Sequence, residues 1–327
     1  MSARWMNVNR ALAANDIRVQ SSFRDTQSQS RDEMWTFVLG TDSQAAAQIS
    51  SAYRSYRKLK LNTDAFAAAR VKAPLEAAKK SKIAQAIVSL PEANGRLARF
   101  AIVESPIMAP ELAVRYPEIK TYSAQGIDDP AATARFDWTP MGFHAIVLGT
   151  SGTSLIEPAT LGDVEDYLVY SPGDVLGTGE CDVQAEDQEA AVKRNALLKK
   201  SMVSANVSSG ATLRTYRLAV AATGEYTQAY GSGMVVGGIA AVTTTINLVD
   251  AIYEHEVAIR LTLVGNNDSI IFTNGATDPY THEDIPSLLS QNQTTLDSVI
   301  GPASYDVGHV FDGSILSGGA FSWQGQG

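Results

Sequence analysis

Four histidines, one cysteine and a few short acidic runs are the groups in this chain from which a reactive site could be built. The histidines are His144, His255, His282 and His309, and the cysteine is Cys181. Zinc-activated water chemistry on a helix needs two histidines four apart, so that both imidazoles face one metal. A glutamate beside the first then polarises the bound water. No two histidines here have that spacing. Glu254-His255-Glu256 places two carboxylates around an imidazole, but at a helix end and without a second ligand at helical spacing. It reads as a surface histidine. His309, between Gly308 and Val310, reads as a packed or hydrogen-bonded sheet residue.

The run Asp278-Pro279-Tyr280-Thr281-His282-Glu283-Asp284 has carboxylates for calcium but not the spacing of a calcium loop, so it reads as an exposed acidic turn. Gly231-Ser232-Gly233 with Gly237 and Gly238 opens an apolar helix. A dinucleotide loop requires such glycines directly after a strand. Here Ala222–Tyr230 intervenes, and close packing of the helix explains Gly237 and Gly238 instead. There is no Gly-x-Ser-x-Gly nucleophile turn. The residues alone therefore assign no catalytic group and no metal ligand.

The elements that would position any site belong to a chain of 327 residues, long enough for two domains of ordinary size. Hydrophobic residues make up 45% and charged residues 19%, a globular composition. The formal charge of −9 argues against nucleic acid or an anionic membrane as partner, because both reward clustered Lys and Arg. The apolar run Met234–Val242 is too short to span a bilayer. Met1–Gln20 carries Arg4, Asn7, Asn9, Arg10 and Asp16 without a continuous apolar core, so it does not read as a signal peptide. Either a cytosolic protein or a start upstream of Met1 fits that observation. One cysteine excludes an internal disulfide framework.

Residues 1–31 are polar and form an arm. After a short strand at Trp35–Leu39, the spacing of Ala46, Ile49, Tyr53, Tyr56 and Leu59 predicts an amphipathic helix over Ser43–Leu61. A second helix is expected within Pro74–Leu90, stopped by Pro91. From Leu97, short apolar runs near Phe100, Ile102, Phe136, Trp138, Phe143–Leu148 and Tyr167–Tyr170, punctuated by Gly and Pro, predict strands. These elements make residues 32–183 an α+β domain. Residues 184–211, charged and then Ser-rich, form a linker. Beyond it the pattern is strand (Tyr216–Ala221), helix (Met234–Tyr253), strand (Ala258–Val264, with Ile270–Phe272 a short extension), helix (Ile285–Ile300, capped by Asp284) and strand (Asp306–Phe311). That alternation predicts a parallel sheet with right-handed crossovers.

Three phrases in this last domain carry a resemblance. Leu213–Thr227 reads Leu-Arg-Thr-Tyr-Arg-Leu-Ala-Val-Ala-Ala-Thr-Gly-Glu-Tyr-Thr, Asn292–Asp297 reads Asn-Gln-Thr-Thr-Leu-Asp, and Tyr305–Phe311 reads Tyr-Asp-Val-Gly-His-Val-Phe. Together they resemble the opening half of the catalytic domain of bacterial reprolysin-like zinc metallopeptidases, which are metzincins. Ala101–Lys120, Tyr122–Pro130 and Gly142–Ala145 look like the propeptide that precedes it. The resemblance implies an α+β propeptide domain followed by an incomplete α/β metzincin-like catalytic subdomain, mostly a parallel sheet with two helices, over 212–327. It also implies a secreted zymogen whose intact relatives hydrolyse protein or peptide substrates through zinc-activated water.

In that family a His-Glu-x-x-His-x-x-Gly-x-x-His helix follows this half and holds the zinc, and these 327 residues contain no such motif. The resemblance thus implies a truncated precursor, inactive by itself and binding no zinc. The alternative is a non-catalytic, propeptide-type binding or inhibitory protein acting on a related protease. In relatives, the strand at Asp306–Phe311 leads through a Gly-rich turn into the sheet's edge strand. Ala320–Gly327 does not look like that continuation. The missing half would cover one sheet face, so Arg214–Phe311 is expected to expose apolar surface. Cys181 lies where many metzincin propeptides place a thiolate on zinc, a soft ligand for that metal. Its neighbours Glu180 and Asp182 would raise the thiol's pKa, and an inert cysteine is the competing reading.

Overall fold

Side chains alternating at period two build the first half of the molecule. The computed structural model describes residues 34–38, 52–78, 86–176, 212–315 and 321–326. Nine strands among these form one antiparallel sheet: β1 (Trp35–Phe37), β2 (Arg57–Leu61), β3 (Ala86–Pro91), β4 (Leu97–Glu104), β5 (Lys120–Gly126), β6 (Thr133–Thr139), β7 (Gly142–Gly149), β8 (Gly152–Pro158) and β9 (Asp166–Tyr170). Their spatial order is β1-β2-β9-β8-β7-β6-β5-β4-β3. Leu59, Val88, Leu90, Phe100, Phe136, Phe143, Ile156 and Tyr167 point inward and are fully buried or nearly so. The sheet curls until its first and last strands adjoin: the Trp35 indole on β1 donates to the Ser89 carbonyl on β3 at 2.7 Å. Helix α1 (Thr63–Arg70), capped by the Asn62 side chain on the Ala65 amide, inserts Phe66 against Phe136 and Phe143. The expected α+β domain is therefore a nearly closed, barrel-like antiparallel sheet.

Two predicted helices are overturned in the described residues. Arg57–Leu61 is strand β2, because Leu59 and Leu61, two apart, both point into the barrel. Ala86–Leu90 belongs to strand β3, where Ala86, Val88 and Leu90 alternate inward. Glu76–Ala78 makes only a 3-10 turn. The rest of Ser43–Ser51, the arm 1–31, the linker 184–211 and Cys181 lie outside the described residues.

The second sheet follows the predicted alternation. It contains β10 (Arg214–Ala222), helix α2 being Pro110–Arg115 in the preceding region and α3 (Gly224–Tyr230) a short helix after β10. Then come α4 (Val235–Val257), β11 (Ile259–Leu263), α5 (Ile285–Val299), β12 (Val307–Ile315) and β13 (Phe321–Gln326). The order is β11-β10-β12-β13, with β11 and β12 parallel to β10. Strand β13 pairs antiparallel with β12, so the tail that looked unlike an edge strand forms one. Leu218, Val220 and Ala222 of β10 pack with Ile239, Val242 and Ile246 of α4, while Ala219 and Ala221 pack with Leu288 and Leu296 of α5. Helices on opposite faces, after connections running in opposite directions from β10, give both crossovers the same hand.

Both faces of β10 are covered, and Val220, Ala221 and Val310 have no exposed surface. No sheet face of the described residues is left bare as expected; the exposed apolar side chains are scattered, among them Met234 and Val257 at the ends of α4 and Leu289 on α5, and a concavity lies alongside α4. There Tyr226, Leu248, Val249 and Phe311 join Ile146 and Leu148 in lining a cavity of about 1010 Å³. Helix α4, at mean hydropathy 1.6, is long and apolar enough by composition to cross a membrane, more so than Met234–Val242 suggested; 61% of that window is buried within the fold.

Residues Glu33–Gly327 form one compact unit. The barrel-like sheet seats β6 on α4 and sends a strap to the second sheet. The Leu263 amide donates to Ile107 O (2.7 Å) and the Ala109 amide to Leu263 O (2.8 Å), so the strap extends β11 as an added parallel strand would. Just beyond, Arg115 at the end of α2 grips Asp268 with two hydrogen bonds of 2.9 and 2.7 Å and reaches Gly265 O.

Candidate functional site

Open α/β sheets bind ligands beyond the carboxyl ends of their strands, where consecutive crossovers leave in opposite directions. In this sheet that point lies between β10 and β12, and the most concentrated polar side chains of the second domain meet there. Strand β10 ends at Ala222, and the Thr223 amide donates to Phe311 O, which brings Asp312 of β12 alongside. Thr223 caps α3, and Glu225 stands in its first turn. The Asp278 carboxylate accepts the Gly224 amide at 2.7 Å and the Tyr280 amide at 3.0 Å, fastening the 273–284 loop over the strand ends. Asp284 caps α5, as expected, through the Ser287 amide. The acidic run is thus a set of backbone anchors.

Asp312 is the centre of this cluster, with its side chain 3% exposed. It accepts from the Thr223 hydroxyl (2.8 Å), the Gly313 amide (3.0 Å), the Glu283 amide (2.9 Å) and His282 Nδ1 (2.9 Å). Burial alone would push its carboxyl up, but these donors outweigh burial and hold it below the ordinary value. Partial burial works against charge on His282, yet its hydrogen bond to Asp312 prevails and raises its pKa. Glu283 sits at φ 59°, a left-handed conformation uncommon outside glycine, which directs its amide at Asp312. The site pairs a buried carboxylate with an imidazole whose Nε2 lies 3.7 Å from a Glu283 carboxylate oxygen.

Glu225, His282 and Asp312 offer ligand atoms within 4.8 Å of one another, and among the described residues no other group of three does so. A catalytic zinc takes three protein ligands and keeps one position open. Asp312 is committed to four donors, which leaves one imidazole nitrogen and the Glu225 carboxylate. As placed, these three side chains do not fit a catalytic zinc.

The other histidines fall apart spatially. His144 on β7 meets the buried Asp137 at 3.2 Å. His255 is exposed near the end of α4. His309 on β12 sits edge-on to Phe311 at 5.0 Å, and burial pushes its pKa down to about 4, as suits a packed sheet residue. Gly237 and Gly238 are packing glycines: a Cβ on Gly237 would strike the Gly231 carbonyl, and one on Gly238 would meet Ile271 and Thr227. Sequence reading missed Asp312 and Glu225. Nothing local marks them, since Asp312 lies thirty residues from His282 and becomes its partner only through parallel pairing of β10 with β12.

A parallel sheet sandwiched by helices, with an antiparallel fourth strand, defines the second domain as an α/β unit. Residues 212–327 match the model of the reprolysin-like metallo-peptidase family M12B, and this part of the chain is a reprolysin-like domain. The match leaves out the barrel-like sheet. No curated protein matches the chain.

Proposed function

We propose that these residues hold the propeptide and the first part of the catalytic domain of a secreted zinc metalloendopeptidase precursor, and that this polypeptide does not itself hydrolyse peptides. One observation carries the reading: a reprolysin-like domain whose histidines stand apart, none paired at helical ligand spacing. When bound in a complete relative, zinc would activate water for attack on a peptide carbonyl. The residues here form the supporting sheet and backing helix, with no group assigned to the reaction. Two measurements test this. Reading the codons beyond 327 in all frames should reveal a His-Glu-x-x-His-x-x-Gly-x-x-His stretch. Stoichiometric zinc retained by the purified chain after dialysis, together with digestion of casein, would overturn the proposal.

The strand pairing of Ile107 and Ala109 with Leu263 favours a second reading, a non-catalytic protein that docks its propeptide-like sheet on a related protease. Added to an active relative, the purified chain would then inhibit in a dose-dependent way. No inhibition at micromolar concentration rejects this reading.

A further inference from the structure

The contact between the barrel-like sheet and α4 is built on buried charge. Arg135 of β6, its side chain 3% exposed, donates to Glu254 (2.9 Å) and Asn247 (2.9 Å) on α4 and to the Ser105 carbonyl (3.2 Å). Arg260 of β11 donates to the same Glu254 oxygen at 2.5 Å and to Glu76 at 2.7 and 3.2 Å. Ser105 donates its hydroxyl to Glu76 at 2.7 Å. Two guanidiniums therefore face two carboxylates, and the charges cancel.

Asp250 is the odd group. It lies between Asn247 and Glu254 on the same face of α4, with no exposed surface. Its Oδ1 accepts the Leu261 amide at 2.8 Å, and its Oδ2 has no hydrogen-bond partner among the described residues. An ionised Asp250 would be a third negative charge against two positive ones, sealed from water with half its carboxylate unsolvated.

We propose that seating the barrel-like sheet on α4 takes up a proton at Asp250, so that the contact strengthens below neutral pH and weakens as pH rises. The charged groups acting on Asp250 are Arg135 from β6, Glu254 from its own helix and Arg260 from β11, which also pairs with Glu76 of the 3-10 turn; Asp137 of β6, buried beside Asn247 and with its own carboxyl pushed up by burial, is the other titratable group of this contact. Burial, the dominant influence, pushes the Asp250 carboxyl up to about 7 against its ordinary 3.8. Burial also works against charge on Glu76, but Arg260 and Ser105 more than offset it and keep that carboxyl below its usual range. Glu76 thus stays ionised throughout the window in which Asp250 titrates. The sign follows from the raised value in the docked state: the stabilisation is complete below about pH 4, falls by roughly tenfold per pH unit up to about 7, and falls no further above that.

Hydrogen exchange on the full chain tests this. Protection of the β6 and α4 amides is measured relative to β9 and corrected for the intrinsic pH dependence of exchange. It should drop about a hundredfold between pH 5 and pH 7. Asp250→Asn keeps the acceptor for Leu261 without the titration, and its protection should fall far less over that range, any remaining change being that of the buried Asp137. A flat wild-type profile, or the same drop in Asp250→Asn, overturns the proposal. Should the variant not fold, the wild-type profile decides: a drop that ends near pH 7 supports the assignment, and one continuing to pH 9 refutes it.

Discussion

The barrel-like sheet and the reprolysin-like sheet build their apolar cores by opposite means. The first is closed by antiparallel neighbours, and aromatic rings hold the centre of its core. Trp35, Phe66, Phe136, Phe143 and Tyr167 form one continuous group of ring contacts with centroids 5.1 to 6.0 Å apart. The second relies on long crossovers and on aliphatic packing against α4 and α5. Its β11 edge is completed by a segment of the first region. One sheet thus supplies its own edges, while the other borrows one. The difference teaches that stability here flows from the barrel toward the reprolysin-like domain more than the reverse.

The largest test of that asymmetry is Phe143→Ala. Phe143 has no exposed surface and touches four other rings. Truncating a buried phenylalanine costs about 3–5 kcal/mol, transfer and cavity together. Urea unfolding followed by tryptophan fluorescence should show that loss, and both sheets should melt together if the second depends on the first. Retention of native hydrogen exchange in β10 and β12 after the barrel has unfolded would break the comparison.

A smaller, more local test is Ala109→Pro. Ala109 has φ −55°, which proline's ring accepts, so the substitution chiefly deletes one backbone donor. The lost donor is the one to Leu263 O. Leaving that carbonyl unpaired should cost about 1–3 kcal/mol. Exchange should rise in β11 while the barrel's hairpin amides remain protected. Equal loosening in both sheets would mean that the strap serves the barrel as much as its partner.

Legibility in the sequence differed between the regions for the same physical reason. In the second domain the two crossover helices are long and bounded: α5 starts at its Asp284 cap, and α4 ends at Ala258 in a left-handed conformation. Such helices announce themselves by length and caps. In the barrel, β2 and β3 are short, and Leu59 of β2 also continues the three- and four-residue spacing of Ala46, Ile49, Tyr53 and Tyr56 that a helix would have. Pairing across the sheet decides between the templates, and pairing is not local. The polar sites were hidden for that reason too. Arg135 meets Glu254, and His282 meets Asp312, only after two distant strands and a helix have assembled.

The smallest expected effect concerns His282, and it checks whether the strand-end cluster contributes to stability or only decorates it. In the folded protein its pKa is raised, because the ionised Asp312 outweighs the penalty of partial burial. A histidine raised on folding stabilises fully below its unfolded value of about 6.5, and the contribution disappears as pH climbs through the higher folded value. With the side chain 34% exposed, screening by solvent keeps the contribution below about 1 kcal/mol. Both the wild type and His282→Gln keep Asp250 and should lose stability from pH 6 to pH 8, the wild type slightly more, and that small difference is the contribution of His282. Glutamine retains a donor for Asp312 but no titration, so declines of equal size would mean that His282 contributes nothing to the pH dependence and that the buried carboxyls carry all of it. A wild-type midpoint that rises over the same interval would mean that Asp312 is not the ionised partner its four donors make it.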